Sequence, residues 1–239
     1  MQWYCIDVGE AVKTPNPARP PRTRRAEKAE RTRQQIQEAA QALFLSRGYA
    51  STTMDAIARH ADVAVETVYA RFRNKIALLE AILEPAIVGT DDGRDIFDLP
   101  EIAHIRQTTD QRVQIGLLAA FSRGILERTH AAHRILASAA AVDPKAADLQ
   151  RRDTSRRVGG QRRYIDMLTL HRPLRAGLTY DEAAATYSTL ANPSTYSLLT
   201  GDLGWSADDF QAWLETTLAR LLLEDSSART HFPGPLDPR

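Results

Sequence analysis

Between Ile36 and Leu83 the apolar residues recur at helical spacing, and the pattern is cut three times by turn residues. Ile36, Ala39, Ala40, Leu43 and Phe44 share one helix face. Gly48 follows Arg47 and suits the left-handed residue that ends a helix. Thr52-Thr53 then offers an N-cap. Met54, Ile57, Ala58 and Ala61 make a second, shorter stripe, broken at Asp62-Val63. Val65, Val68, Tyr69 and Phe72 make a third, and after Arg73-Asn74 a fourth contains Ile76, Leu79, Ile82 and Leu83. Helices this short are not stable alone and must pack on one another. The spacing predicts a helix-turn-helix over residues 53–72, packed on the helix before it.

The rest of the chain also reads as helix, and no period-2 alternation competes anywhere, so the expected fold class is all-α. Residues 109–130 carry Val113, Leu117, Leu118, Ala120, Phe121 and Ile125, and residues 131–142 are alanine-rich. Residues 144–171 predict a long helix with a kink or weak point expected at Gly159-Gly160. Thr179 can cap a helix from Tyr180 to Ala191, stopped near Pro193, and a short turn follows over 195–199. Ser206 caps a last helix whose stripe is Phe210, Trp213, Leu214, Thr217, Leu218, Leu221 and Leu222.

Several functional classes are excluded or disfavoured. No run reaches the ~18 apolar residues of a membrane span. The opening Met1-Gln2-Trp3-Tyr4-Cys5-Ile6 lacks a basic segment followed by an apolar one, so it does not read as a secretory signal, and a cytoplasmic location is expected. Cys5 is the only cysteine, which rules out a disulfide framework and a thiolate zinc site within one chain. His130 and His133 form an i, i+3 pair, but no neighbouring carboxylate or thiol completes a metal site. Phosphate loops after strands and nucleophile-elbow spacing are missing, so neither catalysis nor a cofactor is expected.

Charge is unevenly placed. Residues 13–75 hold 13 Lys and Arg against 6 Asp and Glu, while the remainder holds 18 against 24. A basic end on an acidic body points that end towards a polyanion. Residues 1–30 carry Pro15, Pro17, Pro20 and Pro21 ahead of Arg22, Arg24, Arg25 and Lys28, and read as a flexible basic arm. Such an arm reads as a solubilising tail, as an over-extended gene start, or as a DNA contact, because arginines can enter a narrow minor groove.

The run from Thr53 through Tyr69, Phe72 and Lys75 to Leu79, with the lead-in Leu43, Phe44, Gly48 and Tyr49, resembles the DNA-binding domain of the tetracycline-repressor (TetR) family. The likeness covers about residues 32–83, and the combination of Thr67, Tyr69, Phe72 and Lys75 is its most specific part. The tail from Tyr187 to Leu223 is more loosely similar to the last two helices of such regulators. The resemblance implies that Thr53 bonds a phosphate, that Val65, Glu66 and Thr67 face base edges, and that Tyr69 and Arg71 reach phosphates. Lys75 would add charge to a phosphate clamp at the start of the fourth helix. Local chemistry leaves plainer roles open: Thr53 as a cap, Tyr69 as a half-buried core ring, and Arg71 as a solvated surface charge. Asp62 and Ala64 depart from the family pattern in the turn. Asp tolerates the left-handed conformation, and Asp62 is also available to cap the third helix.

For the body the resemblance implies effector binding and dimerisation. The expected domains are the arm 1–30, a DNA-binding unit 31–75, an effector-binding and dimerisation unit 76–225, and a tail 226–239. Phe121, His133, Tyr164 and Met167 interrupt aliphatic stripes and are the candidate effector contacts. Tyr187, Leu190, Trp213, Leu214, Leu218 and Leu221 form stripes wide enough to pair across a dyad, or to fill an intrachain core. The expected function is a homodimeric regulator, in the repressor sense, that reads a near-palindromic double-stranded DNA operator and is released by a small-molecule effector. The alternative is a helical small-molecule-binding protein whose head no longer reads DNA.

Overall fold

The computed structural model describes residues 24–88 and 95–224, except for side chains 84–88. All regular structure among them is helical. The order is α1 (Arg24–Arg47), α2 (Met54–His60), α3 (Val65–Arg71), α4 (Lys75–Val88), α5 (Pro100–Gln107), α6 (Gln111–Ala140), α7 (Pro144–Thr169), α8 (Tyr180–Leu190), α9 (Pro193–Ser197) and α10 (Ala207–Leu222). A 3-10 turn covers Ile96–Asp98, and a π turn covers Leu198–Asp202.

Local signals account for most helix ends. Gly48 has φ +82°, so α1 closes on a left-handed residue. Buried Thr52 donates its hydroxyl to the carbonyls of Gly48 and Leu43, at 2.9 and 3.3 Å, and satisfies the end of α1. Thr53 caps α2 through a 3.1 Å bond from the Ala56 amide. Thr179 and Ser206 each form a full capping box, with Glu182 and Asp209.

Three elements differ from expectation. Residues 24–30 are the first turns of α1, not part of a flexible arm. The rest of the arm, with Arg22, and the tail 226–239 lie outside the described residues. The segments 109–130 and 131–142 are one 30-residue helix, because nothing in the alanine-rich stretch breaks it. α7 is one helix across Gly159-Gly160, in line with the helix expected over 144–171. α5 has no counterpart in the sequence reading.

The helices build two apolar cores. The head core holds Ile36, Leu43, Phe44, Ile57, Val68, Phe72, Leu78, Leu79 and Leu83. It does not end at residue 75 or at α4. Ala132, Ile135, Leu136 and Ala139 from α6 and Ala146 and Leu149 from α7 belong to it. The body core gathers Ile115, Leu118 and Leu126 of α6, Tyr164, Ile165 and Leu168 of α7, and the inner faces of α5, α8, α9 and α10. α6 therefore spans about 45 Å and ends in a different core from the one it starts in.

Leu136 is 1% exposed, so its loss should damage the head although it lies outside residues 31–75. Leu136→Ala is expected to destabilise the protein by about 2–5 kcal/mol in urea unfolding. A loss below about 1 kcal/mol would contradict a shared core.

Candidate nucleic-acid interface

α2 and α3 are joined by residues 61–64, where Asp62 takes φ +51°. The left-handed turn is thus made by Asp, at a modest steric cost that Gly would avoid. The expected capping of α3 by Asp62 is not found. Ala64 is the N-cap, in extended conformation, and no side chain caps α3. The helix is held from its inner face instead, by Val68, fully buried, and Phe72, 4% exposed.

This packing decides which residues face outward. Glu66, Tyr69 and Arg71 are exposed, Tyr69 by 53%. None of the three makes a hydrogen bond or ion pair within the described residues. Thr67 is half-buried, and Val65 packs its side against the head core. Tyr69 is therefore not a core ring. Thr53 stands at the start of α2 with its hydroxyl oxygen on the Ala56 amide, which leaves the hydroxyl proton for an outside acceptor.

Lys75 is placed differently from the rest. Its ammonium donates to the Tyr49 carbonyl at 2.9 Å and lies 4.3 Å from the centre of the Tyr49 ring. Partial burial lowers its pKa, and the Asp143 carboxylate partly offsets this. The Tyr49 hydroxyl donates to Asp143 Oδ2 at 3.2 Å; burial first and then that carboxylate push its pKa up. Asn74 accepts from the Ala77 amide at 2.9 Å and caps α4. Lys75 is thus a fixed charge at a helix start, not a free side chain.

Arg24 and Arg25 are exposed on the first turn of α1. A helix is about 10–12 Å wide with side chains, against about 6 Å for the minor groove. Insertion of these two arginines as an extended arm is therefore corrected: they stand on a helix, which suits backbone phosphates. The first buried residue of α1 is Ile36, so residues 24–35 project with five basic and two acidic side chains. Sequence reasoning also missed an open groove of about 360 Å³, lined by Arg33, Arg71, Phe72 and Glu80 between α1, α3 and α4. Arg33 lies 5.9 Å from the centre of the Phe72 ring, which holds it at the groove edge.

In the body the candidate effector residues separate. Tyr164, 5% exposed, has its ring centre 5.5 Å from Phe97, 6.3 Å from Phe121 and 5.5 Å from Tyr187. Met167 is buried in the same core. His133 is not with them. It pairs with Asp153 at 3.0 Å, about 16 Å along α7 from Tyr164 at 1.5 Å per residue. Asp153 is 5% exposed, and its other oxygen accepts from Arg156 at 3.1 Å. Near it, Arg157 has Nε and Nη1 buried without a partner, and burial lowers its pKa. One turn on, Gln161 donates to the Ala191 carbonyl at 2.8 Å while its Oε1 is unpartnered. Neither was singled out from sequence, where arginine and glutamine in a polar helix read as surface.

The expected dimer residues need a similar correction. Tyr187, Leu214 and Leu218 are fully buried inside the protomer, and the Tyr187 hydroxyl bonds Ser122 at 2.7 Å. Their side chains fill the core and have no surface to give a partner. Leu190 and Trp213 are half-buried, and Leu221 is 40% exposed. No group of three or more metal-ligating side chains occurs among the described residues, and none of their helices is long and apolar enough to cross a membrane.

Residues 36–82 match the family model described as bacterial regulatory proteins, tetR family. The HTH-type transcriptional regulator SrpR of Pseudomonas putida is 43% identical over 58 residues, 24% of this chain and 27% of SrpR. The HTH-type transcriptional regulator TtgR, also of Pseudomonas putida, is 44% identical over 61 residues, 26% of this chain and 29% of TtgR. The matched part thus spans little more than a quarter of these curated relatives. Beyond it the fold is shared. NalD of Pseudomonas aeruginosa, described as the secondary repressor of the MexAB-OprM multidrug efflux pump, superposes with a TM-score of 0.60 at 22% identity, over 83% of this chain and 99% of NalD.

The buried Asp153 carboxylate makes stability pH-dependent. Burial pushes the Asp153 carboxyl up, but the hydrogen bonds and charges of His133 and Arg156 outweigh this and hold it below the usual carboxylate range. A depressed folded pKa stabilises fully above the unfolded value and is lost as pH falls through the folded one. Asp153→Asn is expected to lower stability by about 1–3 kcal/mol at pH 7. In thermal unfolding the gap to the parent should close as pH drops below about 4, and a gap unchanged by pH would exclude the ion pair as its source.

Proposed function

We propose that this chain, whose residues 36–82 belong to the tetR family of bacterial regulatory proteins, is a sequence-specific transcriptional repressor. It acts in the cytoplasm as a homodimer and leaves its operator when a small molecule binds the body. The observation that carries the reading is the outward face of α3. Glu66, Tyr69 and Arg71 are exposed and unengaged on a helix whose other face is locked by Val68 and Phe72. A rigid helix with idle polar side chains fits the major groove. The repressor sense is supported by NalD, which shares the fold and is described as a repressor.

In this reading Thr67, Glu66 and the exposed edge of Val65 meet base edges. Glu66 accepts from a cytosine amine, and Val65 touches a thymine methyl. Tyr69, Arg71 and the Thr53 hydroxyl take phosphates, while the fixed ammonium of Lys75 adds field at the start of α4. Arg24 and Arg25 add backbone charge from the projecting turns of α1. Two heads are needed for two half-sites about 34–36 Å apart or a multiple of that. The dimer contact is placed on the outer edges of α8 and α10, where Leu190, Trp213 and Leu221 retain surface. The effector is placed at Phe121, Tyr164 and Met167, with Arg157 and Gln161 supplying polar contacts.

Selection from a random-sequence duplex library is expected to return a dyad-symmetric site. Recovery of DNA without common sequence would overturn the reading. On that site Tyr69→Phe should weaken binding about threefold to tenfold. Arg71→Ala should reduce the slope of log affinity against log salt by about 1.

A further inference from the structure

The head is seated on the α6–α7 tip through small and large apolar residues together. Ala132, Ala139 and Ala146 are buried there with Ile135, Leu136 and Leu149. Apolar burial is non-directional, and three of these six side chains are single methyls. Such a seat fixes distance better than orientation. Orientation needs directional contacts, and among the described residues two hydrogen-bonded pairs join α7 or its N-cap to the head. Arg152 pairs with Glu80 at 2.8 Å, but both side chains are open to solvent, at 66% and 40%, so the pair is weak. The Tyr49 hydroxyl donates to Asp143 at 3.2 Å, and Tyr49 is only 3% exposed.

The second contact leads to the reading helix. The Tyr49 ring lies 5.3 Å from Phe44, and the Tyr49 carbonyl holds Lys75. Lys75 begins α4 just after α3 ends at Arg71. The first turn of α7 is thereby tied, through one hydroxyl and one ammonium, to the segment that closes the helix-turn-helix.

We infer that Tyr49 and Asp143 are positioning residues for DNA reading. Their hydrogen bond sets the orientation of the head on the body, and so the relative setting of the two α3 helices in a dimer. The inference rests on the proposed function. Asp143 also caps α7, accepting from the Lys145 amide at 2.9 Å, so Asp143→Ala would remove two contacts at once. Tyr49→Phe removes only the hydroxyl and leaves the ring on Phe44 and Lys75. Asp143→Asn keeps the cap through its one oxygen and turns its NH2 to the Tyr49 hydroxyl, which then accepts instead of donating.

The test uses the full chain, the dyad recovered from a random-sequence duplex library, and a duplex carrying one half of that dyad. Tyr49→Phe is expected to bind the dyad about tenfold more weakly, the scale of one hydrogen bond to a charged acceptor, and the half-site less than about twofold more weakly. Asp143→Asn should lie within about threefold of the parent on both. A merely structural lesion in the head would weaken both duplexes alike. Equal losses on the two, or no loss on the dyad, would overturn the inference.

Amide hydrogen exchange reads the same contact without DNA. Tyr49→Phe should speed exchange over residues 46–53 and 141–146 and leave α10 unchanged, whereas unaltered exchange at the tip overturns the contact. A parent chain that prefers no dyad overturns the proposed function and the DNA-reading role with it. Exchange then still decides whether Tyr49 and Asp143 join head to body.

Discussion

The α6–α7 pair is the one element that both cores need. Each helix buries one end in the body and the other in the head. Ile115, Leu118 and Leu126 go to the body and Ala132, Ile135 and Leu136 to the head; on α7, Ala146 and Leu149 go to the head and Tyr164, Ile165 and Leu168 to the body. Neither core closes without them. Between the two, the inward positions change character to Thr129, His133, Asp153 and Gln161, all buried or half-buried. Directional contacts join the two helices at the body end, where buried Gln114 donates to the Met167 carbonyl at 3.2 Å, and in the middle, where His133 bonds Asp153 at 3.0 Å.

How much of this the sequence shows depends on the range of each interaction. The helix-turn-helix is readable because each part has a local marker. Gly48 ends α1, Thr53 starts α2, and Val68 and Phe72 mark the inner face of α3. The start of α1 was missed for the opposite reason. Residues 24–35 carry no buried face, so there is no periodicity to read, yet their Ala, Arg, Glu, Lys and Gln are good helix formers. In the body, a wide apolar stripe shows that a helix is buried without showing against what. Tyr187, Leu214 and Leu218 belong to stripes that fit an interface equally well, and only the fold puts them in the protomer core. The Tyr49–Asp143 contact joins residues 94 positions apart and has no local signature.

Buried polar groups were the least readable part, because burial changes what they mean. Arg157 in an isolated polar helix is an ordinary surface cation. Inside the fold its Nε and Nη1 are desolvated and unmatched, since the two oxygens of nearby Asp153 are taken by His133 and Arg156. The cost of such a group falls only when an acceptor reaches it. Gln161, one turn away, has the converse need, an unmatched acceptor. These two lie between the aromatic ring cluster around Tyr164 and the ion pair that borders the head.

That order along α7 constrains how a ligand could act. A ligand shifts an equilibrium only by its difference in affinity between the two states. Contacts to Tyr164 alone would touch the body core, which has no side chain on the head. Contacts reaching Arg157 engage the turn of α7 next to Asp153, and Asp153 bonds His133 on α6. His133 sits beside Ala132, where α6 already packs under the head, and Leu136 follows about one turn on. In the proposed function, the groups that reward a ligand and the groups that seat the head therefore lie on the same two helices, within about three turns of each other. A change in how α6 and α7 pair at the polar layer has to appear at their tip, because both helices are continuous through it.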